Sequence, residues 1–363
     1  MANQKTWSNI HVCLFVILIG FIAINMYEVH RYTAIPEVKT DSLTVTIISS
    51  SECKDCTDLS QIPDAITKQI SNTEIKNSKT IEYGTPEAEK LISKYSITRI
   101  PAVIITGLSQ DAPAPLRKVG SDYVFDATPA PYIDAETKET VGLVSLTYLT
   151  TNCIECTDMT LITGQLKQMG IAFTDEKIIS ADSAEGRALI SKYAIKALPT
   201  LIFSKDLLDY PDVANAWAGV GSTETDGMLV MRNVPPPYKD LGTNKVKGLV
   251  TMTIINDSSC TTCYDATNHK TLIEQGFNVK FTDVKVVDAS TQEGKNLISK
   301  YHITLIPTTI LSKDAQDYEG LMSAWPSVGT IEADGNLVFR QINLLPGITF
   351  MNLTSGQTMS STA

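Results

Sequence analysis

The sequence predicts an α/β chain of three tandem, closely related domains placed after an N-terminal transmembrane helix. Three observations carry this. A Cys-x-x-Cys pair occurs three times, in "ECKDCTDL" (52–59), "NCIECTDM" (152–159) and "SCTTCYDA" (259–266). A second, longer pattern recurs downstream of each pair. An apolar run near the start precedes the first copy.

That run, "IHVCLFVILIGFIAINMY" (10–27), has 18 residues, of which His11 and Asn25 are the clearly polar ones. As a helix it extends about 27 Å, close to a bilayer core of roughly 30 Å. Trp7 and Tyr27 flank it, as interfacial aromatics do. A cleaved signal peptide is the alternative, but the following "NMYEVHRYTAIPE" offers no small-x-small site. Residues 1–40 are therefore read as an uncleaved membrane anchor. The charges around it do not set its orientation. A single N-terminal anchor leaves the bulk of the chain outside the cytoplasm by default.

The second pattern appears as "EAEKLISKYSITRIPAVIIT" from Glu87, "EGRALISKYAIKALPTLIFS" from Glu185 and "EGKNLISKYHITLIPTTILS" from Glu293. Agreement this long, three times and in register with the cysteines, marks an internal repeat. Units two and three also share "VGSTETDGMLVMRNV" and "VGTIEADGNLVFRQI", each just after a tryptophan, Trp217 or Trp325. Unit one has a shorter "VGSDYVFD" and no tryptophan there, and is the reduced copy. The domains are placed at 41–130, 141–236 and 246–350. The proline-rich, polar stretches between them are read as short spacers, and 351–363 as a disordered tail.

Within each unit the elements follow in the same order. A β-branched run opens it ("LTVTIISS", "LVSLTYLT", "LVTMTIIN") and reads as a buried strand. The cysteine pair comes next, then a helical stretch, a second strand and the "LISKY" helix. A third strand begins at a proline, and two short strands around a turn close the unit. The first half implies parallel strands joined by a crossover helix.

Bulk properties narrow the function. The 363 residues carry a net charge of −10, which argues against nucleic-acid binding, because phosphate contacts need clustered positive charge. Six of the seven cysteines lie in the three pairs, and Cys13 lies in the apolar run. A pair of this kind is a redox dithiol, half a zinc site or a structural clip. Zinc needs two such pairs about 15–20 residues apart; here they lie about 100 residues apart and a third would be orphaned.

A strand, a CxxC and a later strand opened by proline resemble the thioredoxin superfamily, with tandem domains similar to protein disulfide isomerases and disulfide oxidoreductases. The resemblance covers about 300 residues, from near Ser42 to near Pro346. It implies that Cys53, Cys153 and Cys260 attack, and that Cys56, Cys156 and Cys263 resolve the mixed disulfide. It implies that Pro101, Pro199 and Pro307 are cis and sit beside the CxxC, where an extended substrate pairs with the preceding backbone. It also places the cysteines at a helix N-terminus, where unpaired N–H groups and the dipole favour the thiolate. No bound cofactor or metal is implied. The implied partners are protein thiols and disulfides together with a separate redox protein.

The chain departs from the family's pattern in three places, one of them the dipeptides between the cysteines, Lys54-Asp55, Ile154-Glu155 and Thr261-Thr262, none of which is Gly-Pro or Pro-Tyr. The position before the first cysteine, often aromatic, is Glu52, Asn152 or Ser259, and the buried acid six residues before it is replaced by Ile47, Thr147 or Ile254. Each site adds an aspartate two residues after the second cysteine: Asp58, Asp158 and Asp265. These acids either tune the thiol pKa upward or favour the start of the following helix. Site three lacks an acid between its cysteines, which ranks Cys260–Cys263 the strongest oxidant. His269 is expected at the surface. The competing reading is a redox-inactive scaffold or binding protein with structural CxxC disulfides.

Overall fold

The computed structural model describes residues 40–361. It is mixed α/β, with three repeated sheet units. The chain divides into two compact parts between Thr140 and Val141; the second contains repeats two and three. The expected anchor at Ile10–Tyr27 lies outside the described residues. Among those described, no helix is long and apolar enough to cross a membrane.

Repeat one sets the pattern. β1 (Asp41–Ser49) buries Leu43, Val45 and Ile48 completely, so it runs through the centre of a sheet. The chain then passes the cysteines, forms α1 (Ile62–Gln69) and returns as β2 (Thr73–Glu82), parallel to β1. α2 (Pro86–Tyr95) follows, with Thr85 accepting a hydrogen bond from the Ala88 N–H and proline in the first turn. Next come β3 (Arg99–Ile100), β4 (Ala102–Thr106), β5 (Arg117–Val119) and β6 (Asp122–Phe125). The strand order is β2-β1-β4-β6-β5. α1 covers the sheet face made by Leu43, Val45, Val103 and Ile105; α2 covers the face made by Ile48, Ala102, Ile104 and Val124. A hairpin, β7 (Tyr132–Asp134) and β8 (Thr140–Val141), completes the repeat.

Repeat two has β9 (Leu143–Thr150), α3 (Thr160–Gln168), β10 (Ala172–Ser180), α4 (Ala184–Lys192), β11 (Ala197–Leu198) and β12 (Thr200–Phe203). α5 (Pro211–Ala216), β13 (Gly221–Thr223), β14 (Leu229–Met231) and the hairpin β15 (Tyr238–Asp240) and β16 (Lys245–Lys247) follow. Repeat three has β17 (Val250–Asn256), α6 (Asn268–Phe277), β18 (Phe281–Asp288), α7 (Gln292–Lys300), β19 (Leu305–Ile306) and β20 (Thr308–Leu311). It ends with α8 (Glu319–Ala324), β21 (Gly329–Ile331), β22 (Leu337–Phe339), β23 (Thr349–Asn352) and β24 (Gln357–Ser360). Each five-stranded sheet repeats the order of the first.

The shared sequence pattern is a packing device. Tyr95, Tyr193 and Tyr301 bury their rings and donate their hydroxyls to Asp122, Asp226 and Asp334 at 2.8, 3.0 and 2.9 Å. Lys192 and Lys300 each pair with the same carboxylate at 2.7 Å, and these lysines hold Asp226 and Asp334 down to about 2. Trp217 and Trp325 lie in the core. A Cβ on Gly221 or Gly329 would come within 2.7 Å of the adjacent indole, so only glycine fits there. Unit one, shorter here, keeps a cross-strand ion pair with its signs exchanged. Arg117 on β5 meets Asp126 after β6, whereas Arg232 and Arg340, after the later strand, meet Glu224 and Glu332.

The expected spacers and tail differ from what forms. The spacers fold as β7–β8 and β15–β16, and 349–360 folds as β23–β24 rather than as a disordered tail. The cause is Asx chemistry in polar sequence. Asp134 Oδ1 accepts from the Glu136 and Thr137 N–H groups, Asp240 Oδ1 from Thr243, and Asn352 Oδ1 from Thr354 and Ser355. Each turn folds its hairpin back onto the short strand before the repeat's proline.

Candidate disulfide sites

Cys53–Cys56, Cys153–Cys156 and Cys260–Cys263 are disulfides, each half-buried. The sulfurs sit in turns between the first strand and the first helix of each repeat. α1, α3 and α6 begin at Ile62, Thr160 and Asn268, four to six residues beyond the second cysteine. This corrects the expectation that the cysteines open the helix. A helix dipole acts within its first turn, so little of it reaches these sulfurs.

The three aspartates explain the delay. Asp58 accepts from the Ser60 N–H and hydroxyl at 2.8 and 2.9 Å. Asp158 accepts from the Thr160 N–H at 2.9 Å, and Asp265 from the Thr267 N–H and hydroxyl at 2.9 and 2.7 Å. These bonds, from backbone and hydroxyl together, hold all three carboxyls below the usual range. Each acid thus organises the turn that precedes the helix.

The peptide bonds before Pro101, Pro199 and Pro307 are cis, and all three prolines are buried. In repeat one, Cys53, Cys56, Asp58 and Pro101 line a single cavity of ≈ 210 Å³, together with Ile47. In every repeat the closing hairpin touches both flanks of the site. Thr57, Thr157 and Tyr264, each directly after the second cysteine, donate their N–H to Pro131, Pro237 and Thr349 at 3.4, 2.7 and 2.8 Å. The residue before each cis-proline lies opposite a hairpin residue: Ile100 opposite Ile133, Leu198 opposite Lys239, Ile306 opposite Met351. Ala135 donates to Thr98 at 3.0 Å, so the alternation of an antiparallel ladder makes Ile100–Ile133 the next bonded pair.

The surroundings differ among sites. Before the cysteines of repeats one and three, a carboxylate at the end of the second strand grips the loop. Glu82 accepts from the Ser51 N–H at 2.7 Å, and Asp288 from the Ser258 N–H at 2.7 Å. Bonds from Ser258 and Ser290 push Asp288 far below the carboxylate range. Repeat two has Ser180 at this place and no such grip. Sequence reading missed these acids because they are remote in the chain; their shared offset from the "LISKY" pattern was the available signal. Site two instead places the Glu155 carboxylate 4.0 Å from Cys153 Sγ and leaves Ile154 91% exposed.

His269, expected at the surface, is only 6% exposed. Its Nδ1 meets Thr309 Oγ1 at 2.8 Å, and its ring packs against those of Tyr264 and Phe339. Burial lowers its pKa. Among the described residues no cluster of His, Cys, Asp and Glu suits a metal ion.

No family model and no curated protein matches this sequence. Solved structures similar to it are thioredoxin-fold redox proteins at low scores. An N-terminal domain of the alkylhydroperoxide reductase AhpF from Enterococcus faecalis is 12% identical at a TM-score of 0.16, covering 46% of this chain and 83% of its own. A protein disulfide oxidoreductase from Aeropyrum pernix is 14% identical at 0.13, covering 47% and 77%. Human ERp44 is 8% identical at 0.13, covering 76% and 79%. Scores this low leave the reading to the chain's own geometry.

Proposed function

We propose that the chain is a thiol–disulfide oxidoreductase of thioredoxin-like domains, acting on protein thiols and disulfides through its three CxxC sites. One observation supports this above others: in repeat one the disulfide and the buried cis-proline share an open cavity. A substrate thiolate attacks the Sγ of Cys53, Cys153 or Cys260 and forms a mixed disulfide. The Sγ of Cys56, Cys156 or Cys263 leaves as thiolate and takes a proton from solvent. A second substrate thiolate then attacks the substrate sulfur of the mixed disulfide. It releases the oxidised substrate and leaves the site as a dithiol. A separate redox protein takes the two electrons, and the reverse sequence reduces a substrate. The apolar run at 10–27 supports an anchor that holds these domains outside the cytoplasm.

A second reading, a binding scaffold with permanent disulfides, is favoured by the hairpins. The backbone before each cis-proline, where an extended substrate would pair, is already paired with β7, β15 or β23.

The test is the redox state of each pair across a glutathione series, read by differential alkylation and mass spectrometry. A pair that titrates between roughly −120 and −270 mV trades disulfides. All three remaining oxidised below about −300 mV would establish the scaffold. Cys53→Ser, Cys153→Ser and Cys260→Ser together abolish exchange under the first reading and leave partner binding intact under the second.

A further inference from the structure

Repeat three contains a cavity of ≈ 200 Å³ between α6, α8 and the sheet. Its walls are almost wholly apolar: Ile273, Phe277, Leu321, Trp325, Val328 and Phe339. Leu272 stands at its edge, 60% exposed. His269, Thr309 and Ser327 are its polar lining residues; the Ser327 hydroxyl donates to the Ala324 carbonyl at 2.7 Å, whereas His269 and Thr309 bond to each other.

The internal repeats show how unusual this pair is. His269 lies six residues after the second cysteine, and Thr309 two after the cis-proline. The same places hold Ile62 and Val103 in repeat one, and Ile162 and Leu201 in repeat two. Apolar residues therefore satisfy the fold. Burying a histidine and a threonine instead carries a desolvation penalty that one shared hydrogen bond offsets only in part.

The pair lines the cavity and leaves one polar atom, His269 Nε2, without a hydrogen-bond partner among the described residues. Thr309 is fully buried, and among the described residues its hydroxyl has one hydrogen-bond partner, His269 Nδ1. If Nδ1 carried the proton, the threonine hydroxyl hydrogen would be stranded without an acceptor. The satisfied arrangement has the hydroxyl donating to Nδ1, which places the imidazole proton on Nε2. Nε2 has no hydrogen-bond partner among the described residues. The result is a neutral N–H donor, fixed in tautomer, on a side chain that lines a largely apolar recess.

We infer that this recess binds a small uncharged molecule with one aromatic ring or short branched alkyl body and one oxygen acceptor that meets His269 Nε2–H. An apolar cavity of about 150 Å³ admits benzene, so ≈ 200 Å³ suits a single substituted ring. The inference is independent of thiol exchange.

The experiment titrates acetophenone, which has the acceptor, and toluene, which lacks it, into the full chain. Binding is followed by calorimetry and by the His269 ring signals in NMR. The wild-type chain is expected to bind both and to prefer acetophenone by ~5-fold, the worth of one neutral hydrogen bond. Thr309→Val, nearly isosteric, frees the imidazole tautomer and removes the preference while toluene still binds. The double change His269→Ile with Thr309→Leu, the residues of repeat two, removes it as well and serves if the single variant folds poorly. Failure of the wild-type chain to bind either probe at millimolar concentration overturns the proposal. So does equal affinity for the two, or a preference that survives both variants.

Discussion

Repeats two and three share strand order, caps, the tyrosine–aspartate bond and the buried tryptophan, yet differ where polar atoms meet the core. Trp325 donates its indole N–H to the Thr330 carbonyl at 3.2 Å. Trp217, at the equivalent place, has a buried N–H without a partner. Repeat three buries His269 on Thr309, where repeat two has Ile162 and Leu201. The two also differ at the sulfurs: Glu155 stands beside Cys153, whereas Thr261 and Thr262 separate the cysteines of site three. A common scaffold thus tolerates local polar exchanges whose costs are confined to one repeat.

The largest effect that would sharpen this contrast is at the tryptophans. Trp325→Ala is expected to cost about 3–5 kcal/mol. Trp217→Ala should cost about 1–2 kcal/mol less, because it also removes an unsatisfied buried donor. Denaturant unfolding of both variants checks this, and equal losses would break the contrast.

Acid stability separates the repeats next. Burial lowers the His269 pKa from 6.5 in the folded chain. The unfolded state then binds more protons, so this group's stabilisation is complete above about pH 6.5 and is lost as pH falls through the folded value, by at most about 1.4 kcal/mol per unit. His269→Ile with Thr309→Leu should flatten this part of the stability profile below neutrality. An unchanged slope would show that the imidazole does not titrate on unfolding.

A smaller effect is expected alike in both repeats. Ala194 and His302 each follow the "LISKY" helix with φ of 50°. Left-handed backbone costs an L-residue about 1–2 kcal/mol, so Ala194→Gly and His302→Gly should each raise stability by about 1 kcal/mol, less the entropy glycine adds to the unfolded chain. Thermal unfolding would show whether the two gains match. The smallest effect is at site two. Glu155→Thr removes a carboxylate that disfavours the Cys153 thiolate, and should raise that site's potential by roughly 20 mV. A lower potential after this change would contradict the electrostatic ranking of the sites.

Much of the molecule was legible from residues alone. The three copies, their first strands and the "LISKY" helix rest on periodicity and local caps, which act over a few residues. The pairing of Cys53 with Cys56, and of its two counterparts, needed only proximity in the chain. The linkers form strands rather than the short spacers that their proline and polar content suggests, and the polar tail pairs rather than staying disordered. Their Asx turns were present in "YIDAET" and "YKDLGT", but docking onto β3 and β11 is a long-range pairing that no local pattern announces.

By itself the sequence determined the repeat, the elements of each unit and the spacing of the paired cysteines, because side-chain period, capping and chain proximity are local properties. Tertiary structure alone decided what surrounds those sulfurs. It set the helices several residues beyond them, brought Glu82 and Asp288 to the loops before them, and laid a hairpin along each cis-proline strand. It also drew His269 into the core beside Thr309, 40 residues away in the chain. Burial and electrostatics depend on which distant segments pack together, and that is fixed only when the whole sheet closes.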